Sequence, residues 1–304
     1  MESYPSNLEE GCLLALKYFG IFRYPLKLEE IHIFNPSKAT LEETRSALED
    51  LLAEGIIYQS GQFYMPVKDE DWVPAREKAN EKAFQLLAKT GNFGSIIAAF
   101  PFVRGIAISG SLSKFSATGN PDIDYFIITE ADRLWIARTM LHLFKKLTFI
   151  TGHQHYFCMN YFIDTKSLTI CHPNLYSAIE AVTLLPLYNA PLFELFNNEN
   201  KWTRDYLPNH PGLANFTYVL EFKKYRLKKI LEAISGVLFP GRVNHFLMRL
   251  TDRKWRRKWR RAGYPEDDYD RAFMTSLHIS KNHPVDYEKK VLTSLVEYQN
   301  SGNK

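Results

Sequence analysis

Two short apolar runs, VRGIAIS at 103–109 and YFII at 125–128, flank a loop with Gly110-Ser111 at one end and Asp122-Ile123-Asp124 at the other. Runs this short, rich in Val, Ile and aromatic residues and bounded by Gly, Pro and Asp, predict buried strands rather than helices. A short polar loop between two such strands turns the chain back on itself. The segment therefore predicts a sheet whose loop end gathers small residues and carboxylates.

Strands are predicted over 103–109, 122–129 and 156–163, with 168–171 able to return beside the third. A helix is predicted over 75–90, followed by a separate short apolar segment at 96–100. Another is predicted over 131–147, with Glu130 and Asp132 near its start, where acidic groups favour the helix dipole. This order predicts an α/β unit with a mixed sheet over 75–175.

Upstream, 8–18 has helical periodicity, and Pro25 with Glu29-Glu30 suits a short second helix. Thr40-Leu41-Glu42-Glu43 has capping-box spacing, and Leu41, Leu48, Leu51 and Leu52 give a third helix its apolar face. Gly55 ends it. Residues 56–58 and 63–65 then predict a hairpin around Ser60-Gly61. The order is that of a winged-helix module. Its third helix carries Glu42, Glu43, Glu49, Asp50 and Glu54 against Arg45. That charge opposes DNA phosphates, so packing or protein contact is the favoured role.

Beyond 174 the pattern is helical, with helices predicted over 174–185, 191–198, 222–238, 242–261, 269–278 and 286–298 and with Pro186 and Pro208 as breakers. A chain of 304 residues, 45% of them hydrophobic, can fill more than one core. No apolar run reaches membrane-spanning length and the start lacks a signal-peptide pattern, so neither integral membrane association nor secretion is expected. Cys12, Cys158 and Cys171 are too few and too scattered for a disulfide framework or a zinc site, which fits a cytoplasmic setting.

Asp122 and Asp124 are two apart on a predicted strand, so their side chains share a face. Paired carboxylates repel each other until a cation sits between them, and oxygen ligands of this type suit Mg²⁺ or Mn²⁺. Gly110 allows positive φ and close approach of a ligand, while the Ser111 hydroxyl and nearby N–H groups suit phosphate oxygens. Neither GxxxxGK[ST] nor GxGxxG occurs, which argues against a P-loop or dinucleotide fold.

An apolar strand, Gly110-Ser111, a loop and Asp122-x-Asp124 in a second strand together resemble the core signature of the DNA-polymerase-β-like nucleotidyltransferase superfamily. The resemblance implies an α+β fold: a nucleotidyltransferase core with a mixed sheet at 74–175, between a winged-helix-like module at 1–73 and a helical region at 176–304, as in a bacterial branch of the superfamily. It implies transfer of a nucleoside monophosphate from a nucleoside triphosphate to an acceptor hydroxyl or phosphate, by in-line attack with pyrophosphate leaving. Asp122 and Asp124 would ligate Mg²⁺ or Mn²⁺, and Gly110 and Ser111 would contact the triphosphate. Lys114 is a candidate phosphate contact or a solvated loop lysine. The family's third carboxylate belongs on the third strand. Here Asn160 is the favoured positional match, and Asp164, on the same side by parity, is the alternative. The acceptor, whether a small molecule, RNA or protein, is not encoded in these motifs. A nucleotide-binding or protein-interaction module without turnover, or a DNA-binding regulator, is the competing reading.

Two basic runs stand apart from this signature: Lys223, Lys224, Arg226, Lys228 and Lys229, and the denser Arg253, Lys254, Arg256, Arg257, Lys258, Arg260 and Arg261. Trp255 and Trp259 are one helical turn apart within the second. A packed helix with one solvated face is the leading reading, ahead of an RNA groove and an anionic membrane surface. His153, His155 and His172 read as polar strand-end sites. Asn198, Asn200, Trp202, Tyr206 and Asn209 would line an acceptor pocket or serve as hydrogen-bonded packing.

Overall fold

The computed structural model describes residues 7–119, 121–150, 152–213 and 225–301. Helix α1 (Leu8–Gly20) begins where the Asn7 side chain accepts from the Glu10 N–H, one of the donors a helix start leaves unpaired. A two-residue strand β1 (Leu26–Lys27) leads to α2 (Leu28–Phe34) and α3 (Leu41–Ala53). The capping box forms at α3: Thr40 Oγ1 accepts from the Glu43 N–H, and the Glu43 carboxylate accepts from the Thr40 N–H. Strands β2 (Tyr58–Ser60) and β3 (Phe63–Met65) make the hairpin, with Gly61 at φ +58° in its turn. The hairpin starts at Tyr58 rather than 56 because Ile57 is drawn into the core. Strand β1 pairs with the far side of β3, giving an antiparallel sheet in the order β1-β3-β2. This is a winged-helix-like arrangement.

Helix α4 (Trp72–Ala98) runs through both the predicted helix and the apolar segment after it, since Ile97 and Ala98 continue the buried stripe of Ala83 and Leu87. Strand β4 (Val103–Ile108), β5 (Asp124–Thr129), α5 (Leu134–Thr148) and β6 (Cys158–Asp164) follow. Then come α6 (Leu175–Val182), β7 (Leu185–Tyr188), α7 (Ala190–Glu199), α8 (Thr203–Tyr206), α9 (Tyr225–Leu238), α10 (Gly241–Arg261), α11 (Glu266–Ala272), β8 (Ile279–Lys281) and α12 (Tyr287–Ser301).

The main sheet has the order β7-β4-β5-β6-β8, with β5 and β6 parallel and every other pair antiparallel. Residues 168–171 form no strand, and β8, from the stretch between the helices predicted over 269–278 and 286–298, takes the edge beside β6. Pro186, predicted as a helix breaker, lies inside β7; an edge strand tolerates proline because one side of it needs no ladder donors. The C-terminal region is otherwise helical, and the chain is an α+β fold with a mixed sheet between helical regions.

Both faces of the sheet are covered, which explains its continuous apolar strands. Ile106, Ile108, Tyr125, Ile127 and Phe162 pack with α4 and α5, while Ala107, Phe126, Ile128 and Ile163 pack with Ala181, Phe193 and Phe196 from the α6–α7 side. A further core joins the ends of the chain: Leu16, Ile31 and Leu48 of the first three helices cluster with Ile179, Leu207 and Val291. Arg76 of α4 ties the winged-helix-like module to the sheet region, pairing with Glu30 at 2.6 Å and lying over the rings of Tyr24 and Phe63.

Candidate functional site

Past the end of β4 the chain turns at Gly110, whose φ of +68° suits glycine. The turn is also close-packed: a Cβ there would lie 2.8 Å from Asp124 Oδ2 and displace that carboxylate. Antiparallel pairing creates this contact: Ile108 lies opposite Tyr125, and the Ser109 N–H donates to the Asp124 carbonyl at 2.9 Å. A 3₁₀ turn at Leu112–Lys114 follows, and Ser113 Oγ donates back to the Gly110 carbonyl at 2.9 Å. Among the described residues the N–H groups of Gly110 and Ser111 find no acceptor, and Ser111 is exposed. Adjacent amides of this kind suit an anionic oxygen.

Lys114 is engaged within the protein. Its ammonium donates to the Gly110 carbonyl at 3.1 Å and pairs with Glu180 of α6 at 2.7 Å. No sequence pattern marks Glu180, an isolated helical glutamate; only the packing of α6 brings it near this turn.

Strand β5 begins at Asp124, so Asp122 precedes it rather than opening it as predicted. Asp122 is exposed, and its Oδ1 lies 2.7 Å from His155 Nδ1. Asp124 is half-buried, and Asn160 Nδ2 donates to its Oδ1 at 3.2 Å. Burial pushes the Asp124 carboxyl up to about 6; a hydrogen bond from the Cys158 thiol opposes the rise, the charges of Asp122 and Glu180 add to it, and Lys145 opposes it. Burial also pushes the Cys158 thiol up to about 12, helped by the Asp124 charge, so the thiol stays protonated and acts as a donor. Asp124 is thus a carboxyl short of positive charge, and a divalent cation would supply it. The donor set fits a hard cation: carboxylates from Asp122 and Asp124, with the Asn160 amide beside them.

Asp164 lies elsewhere. The β5–β6 ladder pairs Tyr125 with Met159 and Phe126 with Tyr161, so Asn160 is an extra residue that the partner strand does not match. Such a bulge reverses the alternation beyond it. Asp164 therefore aligns with Thr129, on the sheet face opposite Asp124, and at the other end of the strands, about 17 Å along them at the usual rise per residue. The parity that predicted it beside Asp124 fails at this bulge.

Around Asp164 is a second group of ligand-type atoms: one each from Asp132, Asp164 and His278 lie within 4.8 Å of one another, a set that could hold a metal ion. Much of its capacity is used internally. Asp164 is fully buried and accepts from the Asp132 and Lys166 N–H groups, both at 3.0 Å, and its Oδ2 lies 2.8 Å from His278 Nδ1. The Lys166 ammonium pairs with Asp132 at 2.5 Å.

Beside Asp122 lies a cavity of about 330 Å³, with Lys82, Gln85 and Lys89 of α4 on one wall and Pro121, His155 and Tyr156 on the other. The Tyr156 ring stacks on Phe93 with centroids 4.4 Å apart. No local motif marks the two lysines, which lie on a long charged helix. The asparagines after the sheet do not open a pocket. Asn200 accepts from the Ile170 N–H at 2.8 Å and from Trp202 Nε1 at 3.0 Å, while Asn209 donates to the His32 and Ser37 carbonyls. Of the first basic run, Lys223 and Lys224 lie outside the described residues.

No protein-family model matches the chain, and comparison with curated proteins and with solved structures finds no match. Among the described residues no helix is long and apolar enough to cross a membrane.

Proposed function

We propose that the protein is a metal-dependent nucleotidyltransferase of the DNA-polymerase-β-like type, binding a nucleoside triphosphate at the Gly110-Ser111 turn and moving its nucleoside monophosphate to an acceptor hydroxyl or phosphate. One observation carries this reading: the Asp124 carboxylate lies directly against Gly110, with Asn160 on its other side. Gly110 and Asp124, on adjacent strands, meet there with Asn160 from a strand further along the chain.

Asp122 and Asp124 would hold Mg²⁺ or Mn²⁺. A bound divalent ion supplies positive charge to phosphate oxygens and relieves the repulsion between the two carboxylates. Gly110 keeps the approach to Asp124 open. The Gly110 and Ser111 N–H groups and the Ser111 hydroxyl bind a phosphate oxygen. Lys114 holds the turn through the Gly110 carbonyl rather than reaching for the ligand itself. The lysine-walled cavity beside Asp122 suits an anionic portion of the nucleotide or of the acceptor.

Nucleotide binding without turnover is the second reading, and Asn160 favours it: a neutral amide stands where the family places a carboxylate, leaving the site with less negative charge to hold an ion. DNA recognition by the winged-helix-like module has less support, because α3 exposes Glu42, Glu49 and Asp50.

The test incubates the protein with each α-labelled nucleoside triphosphate, Mg²⁺ or Mn²⁺ and a cell extract. Label transfer that the Asp122→Asn/Asp124→Asn variant loses is the expected result. Binding with no transfer favours the second reading, and equal transfer by both proteins sinks the catalytic assignment.

A further inference from the structure

Helix α9 is amphipathic in an inverted sense. Its apolar residues Leu227, Ile230, Leu231, Ile234, Val237 and Leu238 recur at helical spacing on one stripe, and all are exposed, Val237 to 83%. Polar side chains dock the helix instead. The buried Lys228 ammonium donates to the Ala98 carbonyl at 2.9 Å and to the Val103 carbonyl at 2.5 Å, while Glu232 pairs with Arg104 at 2.6 Å and accepts from the Phe102 N–H at 2.8 Å. A helix that spends its polar groups on docking and leaves its aliphatic stripe outward exposes a surface that water disfavours.

Only Phe239 and Pro240 separate α9 from α10, which continues the pattern. Phe246 and Leu250 are exposed at 62% and 52%, one turn apart, and Arg242, Arg249, Arg253 and Arg257 share their side of the helix by spacing. Among the described residues these four arginines make no ion pair, whereas Arg256 and Arg260 do. Trp255 and Trp259 are not available for stacking on bases: Trp255 is buried, and Trp259 stacks on Phe273 with centroids 4.9 Å apart. The exposed side of α9 is thus aliphatic, and that of α10 is both apolar, through Phe246 and Leu250, and cationic.

We infer that α9 and α10 form an amphipathic hairpin that seats on the surface of an anionic phospholipid bilayer, with the aliphatic stripe at the headgroup boundary and the arginines on lipid phosphates. A bilayer surface offers apolar depth and negative charge together, the pair of properties this face displays. A second copy offers the first without the second, since a two-fold contact through α10 would set arginine against arginine. Nucleic acid offers the charge but nothing for the aliphatic stripe. The docking contacts of α9 lie at the start of β4, the end of the strand opposite Gly110, so seating leaves the Gly110–Asp124 end open.

Co-sedimentation of the full chain with vesicles tests this. Vesicles of phosphatidylcholine mixed with phosphatidylglycerol should pellet the protein, pure phosphatidylcholine should do so far less, and high salt should weaken the difference. Ile230→Glu/Val237→Glu should reduce apparent affinity at least about tenfold, as should Arg249→Glu/Arg253→Glu, with thermal midpoints held near the parent because all four side chains are exposed. Should the aliphatic pair prove unfoldable, the arginine pair decides alone. Equal binding to neutral and anionic vesicles, or binding insensitive to the variants, overturns the inference. So does concentration-dependent dimerisation, or RNA binding, that these variants abolish while vesicle binding is absent.

Discussion

Asn160 Nδ2 donates to Asp124 Oδ1 at 3.2 Å, across a bulge that sets Asn160 outside the regular β5–β6 ladder. The contact gives Asp124 a neutral donor in a place where a carboxylate would share a cation with it. An ion bound at Asp124 would call for the amide oxygen rather than the amide nitrogen. For Asn160 to join Asp124 in holding an ion, its side chain would have to turn over, which an aspartate would not need to do.

Asn160→Asp should consequently strengthen divalent binding and weaken the metal-free protein. A further carboxylate facing Asp124 adds like-charge repulsion in a half-buried site, at a cost of about 1–3 kcal/mol. Thermal melts in EDTA should show a lower midpoint than the parent, and Mn²⁺ should restore it by a larger increment than in the parent. A variant as stable as the parent in EDTA and no more responsive to Mn²⁺ would remove position 160 from the site.

Asp124→Asn should stabilise the metal-free protein at neutral pH. The Asp124 carboxyl is pushed up to about 6, chiefly by burial, so the folded state binds its proton more tightly than the unfolded chain does. Its contribution is then full below pH 4 and lost as pH rises through about 6. Compared at each pH in EDTA, the asparagine variant should gain over the parent between pH 4 and about 6.5 and keep that gain above, on the order of 2 kcal/mol. Urea denaturation across this range checks it; a difference that does not change with pH rules out the ionisation as its source.

Much of this arrangement was legible in the chain. The Thr40–Glu43 capping box, the Gly61 turn and the Gly110–Asp124 contact all arise between residues close in sequence, where spacing fixes geometry. Asn160 and Asp164 show the limit: counting by twos along β6 put them on one face, and a single unmatched residue moved Asp164 to the other. Strands β7 and β8 were illegible for another reason. Each is short, and each becomes a strand only because an edge formed by distant residues is open to it. Glu180 and the lysines of the cavity reach the site through packing alone.

Glu180→Gln should tighten triphosphate binding. The carboxylate pairs with Lys114 and its charge raises Asp124, so it adds negative potential beside the Gly110-Ser111 turn. Removing that charge without changing shape should lower the dissociation constant for a non-hydrolysable triphosphate by roughly threefold to tenfold in titration calorimetry. Lys114→Met should act in the opposite direction, by freeing the Gly110 carbonyl from its donor. Weaker binding by Glu180→Gln would instead assign Glu180 to holding the ion.

Asp164→Asn should destabilise, opposite in sign to Asp124→Asn on the neighbouring strand. Asp164 is fully buried, its two oxygens accept from the Asp132 and Lys166 N–H groups, and His278 lies within hydrogen-bonding distance. An amide has one acceptor oxygen, so the change leaves a buried donor unpaired and sets an NH₂ against an N–H, at a cost of about 2–4 kcal/mol. Urea denaturation of the two variants side by side gives the contrast directly. The same pair separates the two candidate metal sites. Mn²⁺ should stabilise Asp164→Asn by nearly the parent increment and Asp124→Asn by little. The reverse pattern would move the ion to Asp132, Asp164 and His278, at the end of the sheet away from the Gly110 turn.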